Sequence, residues 1–143
     1  LKIDKKESYW IKINENDILV TTPKSEMRTA AEEARQCTEA GGGTYFRFFR
    51  IKFKRLQTGS RIFYIEDGHI RGFAFVTGII HSKQLRCDVT GKRWGEGWYA
   101  IMPADSWKWI KPIARKGFMG HQAMIQIAKK VQVIGGWLDE KPN

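Results

Sequence analysis

The sequence predicts an α+β domain, a small, curved, mixed β-sheet flanked by an N-terminal and a C-terminal helix. Three observations carry this. Apolar residues alternate at period two through much of residues 44–112, which is the signature of half-buried strands. Two segments outside that region carry apolar residues at i, i+3 and i+4 or i+7, one face of a helix. Asp67-Gly68 sits between two apolar runs, where it supplies the positive φ values of a tight hairpin turn.

The chain of 143 residues is enough for one domain with a modest core, read here as residues 1–43 (strands and an acidic helix) joined to a basic, β-rich core over residues 44–143. Tyr9, Ile11 and Ile13 alternate with polar neighbours, and Ile18 to Val20 follow a polar Asn-Glu-Asn-Asp break, so two short strands are expected over 9–21. Ser25 is a good N-cap. Met27, Ala30, Ala31 and Ala34 form one helical stripe, Glu26, Glu32 and Glu33 complement the macrodipole, and Gly41-Gly42-Gly43 ends the helix.

After the glycines, Arg50, Lys52 and Lys54 alternate with Phe49, Ile51 and Phe53, which predicts a strand with one cationic and one buried face. Arg61 to Ile65 and Ile70 to Val76 are the arms of the Asp67-Gly68 hairpin, with Gly72 and Gly78 as bends or bulges that curl the sheet. A third pair, about Leu85 to Thr90 with Trp98 to Pro103, brackets a glycine-rich tip holding Lys92, Arg93 and Trp94. Trp107, Trp109 and Lys111 share one strand face. Gly117 then leads into a helix whose stripe is Met124, Ile127, Ala128 and Val131, and a last short strand follows from Val131.

Charge is divided unevenly. Residues 1–43 hold seven Lys and Arg against eight Asp and Glu, whereas residues 44–143 hold 18 against seven, so the whole formal charge of +10 comes from the second part. Such a field attracts polyanions in a salt-sensitive way, and the basic residues are interleaved with aromatic ones, the pairing that single-strand binders use for phosphates and bases. The candidate nucleic-acid contacts are Arg47, Arg50, Lys52, Lys54 and Arg55, then Lys92, Arg93 and Trp94, then Trp107, Trp109 and Lys111. Trp98 is assigned to the core and Trp94 to the outside, while Trp107 and Trp109 fit either core or pocket. His121 and Gln122 are further possible ligand contacts, and Asp88 and Asp105 are possible base-edge acceptors or turn residues.

Other classes find less support. No run of about 18 apolar residues is present, so no membrane span or membrane partner is expected. The first residues lack an apolar signal region. Cys37 and Cys87 form neither a disulfide framework nor a zinc pattern, and His69, His81 and His121 are scattered, so a reducing, cytoplasmic setting with neither metal nor cofactor is expected. Asp105 with Asp139-Glu140-Lys141 is a poor match to a metal nuclease. RNA cleavage without metal, by Tyr64, Tyr99 or Lys92, is an alternative to simple binding. A protein-adaptor role for the acidic helix, residues 25–40, is a second alternative.

One stretch carries a family resemblance. Gly59-Ser-Arg-Ile-Phe-Tyr-Ile-Glu-Asp-Gly-His-Ile-Arg-Gly-Phe-Ala-Phe-Val resembles the central hairpin of PUA-like domains, the superfamily of the PUA, ASCH and EVE families. Residues 109–113 and 116–122 are similar to segments of ASCH- or EVE-like proteins. The Gly-x-Lys-x-x-Glu-x-Arg signature of ASCH domains is echoed at 91–96 with different spacing. The resemblance implies a β pseudo-barrel that binds RNA, or single-stranded or modified DNA, sometimes with one modified base in a pocket.

Overall fold

The computed structural model describes residues 8–22, 39, 44–86, 93–136 and 139. Twelve strands lie among them: β1 (Tyr9–Lys12), β2 (Ile18–Thr21), β3 (Thr44–Phe49), β4 (Arg61–Glu66), β5 (His69–Phe75), β6 (Gly78–Ser82), β7 (Leu85–Arg86), β8 (Arg93–Trp94), β9 (Gly97–Pro103), β10 (Lys108–Ala114), β11 (His121–Ala123) and β12 (Lys130–Gly136). They form a seven-stranded sheet in the order β1-β12-β10-β5-β4-β2-β11, a three-stranded sheet β3-β9-β6 and a two-stranded ribbon β7-β8. The pair β2/β4 is parallel, and the other pairs of the large sheet are antiparallel.

The large sheet is apolar on both faces, which is why five consecutive residues of β4, Ile62 to Glu66, are buried rather than alternate ones. On one face Val20, Ile62, Tyr64, Ala74 and Trp107 meet Ala100 and Met102 of the small sheet. On the other, Leu19, Phe63, Ile65, Ile70, Ile110, Val131 and Val133 form a second core with Ile13 and Met124. Every strand feeding that second core belongs to the large sheet, so the sheet curls over its own face into a half-barrel. Register shifts in β4/β5 between Tyr64 and Ile65, and in β10, provide the bends.

The hairpin forms where expected: Asp67 (φ 53°) and Gly68 (φ 72°) turn the chain between β4 and β5. The strands expected over 9–21 are β1 and β2. Of the N-terminal helix, only Glu39 is among the described residues, and it is helical.

Three expectations are corrected. The strand carrying Phe49 ends there, because Phe49 pairs with Trp98 near the start of β9 and the partner strand runs out. The chain then turns inward: the Leu56 N–H donates to the Phe53 carbonyl (3.0 Å), Leu56 is fully buried, and Ile51 is 71% exposed. Phe49, Phe53 and Leu56, four and three residues apart, reach the core through a turn, and the alternation of Arg50, Lys52 and Lys54 forms no strand face.

The helix expected to follow Gly117, with its stripe Met124 to Val131, does not form. His121–Ala123 pair with β2, Met124–Gln126 make one 3-10 turn closed by Ile127 and Ala128 N–H groups on the Met124 carbonyl, and β12 begins at Lys130. A single turn satisfies the i, i+3, i+4 stripe, while Val131 and Val133 bury themselves by pairing with β1 and β10. Finally, Leu85 and Arg86 pair with Trp94 and Arg93, whereas β9 is the centre of the small sheet, between β3 and β6.

Candidate functional site

The polar break Asn14-Glu15-Asn16-Asp17 organises one region of the surface. Asp17 is fully buried, and its carboxylate accepts from the backbone N–H groups of Asn14 (2.8 Å) and Arg61 (3.0 Å), with the Arg61 guanidinium 3.6 Å away. Burial outweighs these contacts and raises its pKa above the ordinary carboxylate value. Its carbonyl accepts from the Met124 N–H (3.0 Å). The loop after β3 docks on the same turn, as Arg55 Nε donates to the Glu15 carbonyl (3.0 Å) and Asn16 Nδ2 to Gln57 Oε1 (3.2 Å).

Both attachments bring the basic loop beside β11, and between them lies an open cleft of about 470 Å³ lined by Arg55, Arg115, His121, Gln122, Ala123, Gln126 and Ile127. Arg115 is held there by its N–H on the Gly68 carbonyl (2.9 Å), and the segment after it by the Phe118 N–H on Thr21 Oγ1 (3.0 Å). Arg115 Nη2 donates to Gln122 Oε1 (3.0 Å), which leaves the Gln122 amide nitrogen as the free end of that side chain. The His121 ring lies parallel to Phe53, with centroids 3.4 Å apart. Burial of the imidazole, aided by the positive charge of Arg55, lowers its pKa. Among the described residues the lining contains two guanidiniums, an imidazole and two amides, and no carboxylate.

The residues named from the sequence fall into separate places. Arg55 is in the cleft, and Arg50, Lys52 and Lys54 are exposed on the loop leading to it. Arg47 is half-buried between the sheets, its guanidinium carbon 5.9 Å from the Phe49 ring centre and 5.6 Å from that of Tyr64, with Nη2 on the Thr21 carbonyl. Arg93 is exposed on β8, Trp94 is half-buried and stacked on Phe48, and Lys111 is exposed on β10. Lys92 and Asp88 lie outside the described residues.

Trp107 and Trp109 do not line an open pocket among the described residues. Both are buried in the core between the sheets, edge to face with centroids 5.2 Å apart, and Trp109 Nε1 donates to the Asp139 carbonyl. An indole buried on all sides has no face left for a base. Trp98, assigned to the core, is half-buried and meets His81 edge-on. Tyr64 and Tyr99 are also buried, with their hydroxyls directed at Met102 Sδ and the Gly95 carbonyl, so neither offers a surface phenol for RNA cleavage.

Of the lining residues, Arg55, His121 and Gln122 carry a signal in the sequence, whereas Arg115 and Gln126 belong to no motif that points to a site. No group of three His, Cys, Asp or Glu side chains among the described residues is placed to hold a metal ion, and no helix among them is long and apolar enough to cross a membrane. No family model matches the chain, and no curated protein matches it. Among solved structures, it is similar to a mutant ZmASCH protein from Zymomonas mobilis, with 13% identity and a TM-score of 0.44 over 76% of this chain and 89% of that one.

Proposed function

We propose that this protein is a nucleic-acid-binding module for RNA or for single-stranded or modified-base DNA, acting in a reducing, cytoplasmic setting. The observation that carries the reading is the cleft between Arg55 and Arg115, whose cationic and amide lining has no carboxylate among the described residues, on a chain of net charge +10. Guanidiniums present forked donors suited to phosphate oxygens, and the amides of Gln122 and Gln126 suit a base or sugar hydroxyl. Arg50, Lys52 and Lys54 extend the positive surface along the loop, with Arg93, Trp94, Lys111 and Lys92 as further contacts. The resemblance of the β4–β5 hairpin to PUA-like domains supports the same reading.

The test is a titration of the whole chain with short RNA, single-stranded DNA and duplex DNA, each plain and base-methylated, at two salt concentrations. Binding that weakens steeply with salt, favours one class, and falls in Arg55→Gln and Arg115→Gln supports the reading. Absence of binding to every probe at low salt overturns it.

A further inference from the structure

Resting on that reading, we infer that the cleft takes the terminal phosphomonoester of a strand rather than the phosphodiesters along it. The first reason is charge. Arg55 and Arg115 bring two fixed positive charges to a lining without a carboxylate among the described residues, which matches the charge of about −1.5 to −2 on a phosphomonoester at neutral pH. An internal diester carries only one negative charge.

The second reason is donor number. Arg55 uses Nε on the Glu15 carbonyl and keeps both terminal nitrogens free of hydrogen bonds among the described residues. Arg115 uses Nη2 on Gln122 and keeps Nε and Nη1. The His121 ring nitrogens and the Gln126 amide make no hydrogen bond there either. This set approaches from two walls, the loop carrying Arg55 and the β11 side carrying Arg115, His121 and Gln126. A terminal phosphate exposes three non-ester oxygens and can be met from both sides, whereas a diester exposes two and is flanked by chain in both directions.

The third reason is size. A volume of about 470 Å³ lies within the range of small-ligand sites and suits one nucleotide end, not a track for several. Ala123 and Ile127 supply the apolar part of the lining, suited to sugar carbons.

The experiment uses the whole chain and one short oligonucleotide, internally labelled for anisotropy, in three forms: 5′-phosphorylated, 3′-phosphorylated and hydroxyl at both ends. One phosphorylated form is expected to bind about tenfold more tightly than the hydroxyl form, as two charge-assisted contacts warrant. Its preference for one end identifies the source of the phosphate. Arg115→Gln brings that ratio towards one. So does Gln126→Glu, which places a carboxylate in the lining at a side chain whose amide makes no hydrogen bond within the described fold. Equal affinity for all three forms, with both variants weakening them alike or leaving them unchanged, overturns end recognition while leaving nucleic-acid binding intact. Failure of all three forms to bind at low salt overturns the underlying reading.

Discussion

The imidazole of His121 lies flat on the ring of Phe53, centroids 3.4 Å apart and planes 10° apart, joining the basic loop to the edge strand β11. This contact covers one face of a titratable ring that lines the cleft. Burial first, and the charge of Arg55 second, favour the neutral imidazole. Arg55 and Arg115 are the charged groups among the described residues of the cleft, and the charge of Arg55 opposes protonation of the ring.

The His121 pKa is therefore expected to rise towards its ordinary value in Phe53→Leu, and NMR titration of the His121 ring proton measures it. The stability that His121 contributes is present above the ordinary imidazole range and is lost as pH falls through its lower folded value. Wild type should accordingly lose more stability than His121→Gln on acidification across that interval. An unmoved titration in Phe53→Leu would show that the stack does not set the shift.

The Asp17 carboxylate ties together the Asn14 and Arg61 backbone N–H groups and so holds the turn on which the Arg55 loop docks, and its loss should loosen that wall of the cleft. Asp17→Ala leaves two backbone donors unpaired, at a cost of about 1–3 kcal/mol each, visible in chemical denaturation. Because the folded pKa is raised, the stability from Asp17 titration is full below the ordinary carboxylate value and declines as pH rises through the higher folded one. Wild type should thus lose ground to Asp17→Asn as the pH climbs out of the acid range. A pH-independent difference between the two would contradict the shift.

Neutral replacement of Arg50, Lys52 and Lys54 together should weaken every nucleic-acid probe alike, with the salt slope falling by about 0.7 for each lost single-strand phosphate contact. These side chains are exposed, and their only hydrogen bond among the described residues runs from Lys52 Nζ to the Leu56 carbonyl (3.1 Å), so the melting temperature should change little. Unchanged affinity would remove the loop from the interface.

Gly72 is a packing requirement. A Cβ there would stand 2.5 Å from the Lys108 carbonyl oxygen and against the Trp107 ring, both fixed in the core. Gly72→Ala is expected to destabilise by roughly 1–3 kcal/mol or more in denaturant titration. A neutral effect would mean that β5 and β10 can separate to admit the methyl group.

Local chemistry was enough to read several features from the residues. Asp67-Gly68 specifies its hairpin because two adjacent positive φ values are demanded and few dipeptides supply them. The polar break at 14–17 separates β1 from β2, and the excess of Lys and Arg after Thr44 is independent of how the chain folds.

Folding over long distances settled the rest. Phe53 and Leu56 leave strand geometry because the partner of β3 ends and the core draws them inward, and Met124 to Ala128 make a single turn because Ala123 and Val131 find strands to pair with. Apolar spacing of three and four describes one turn as well as a whole helix; only partner strands remote in sequence discriminate between them. The cleft has the same origin. Arg55 and Arg115 are 60 positions apart and share a site because β2 pairs with β11 while the turn before β2 anchors the Arg55 loop. The described tryptophans conversely scatter to the core and the rim, since burial of each indole depends on which sheet faces it and not on its neighbours in the chain.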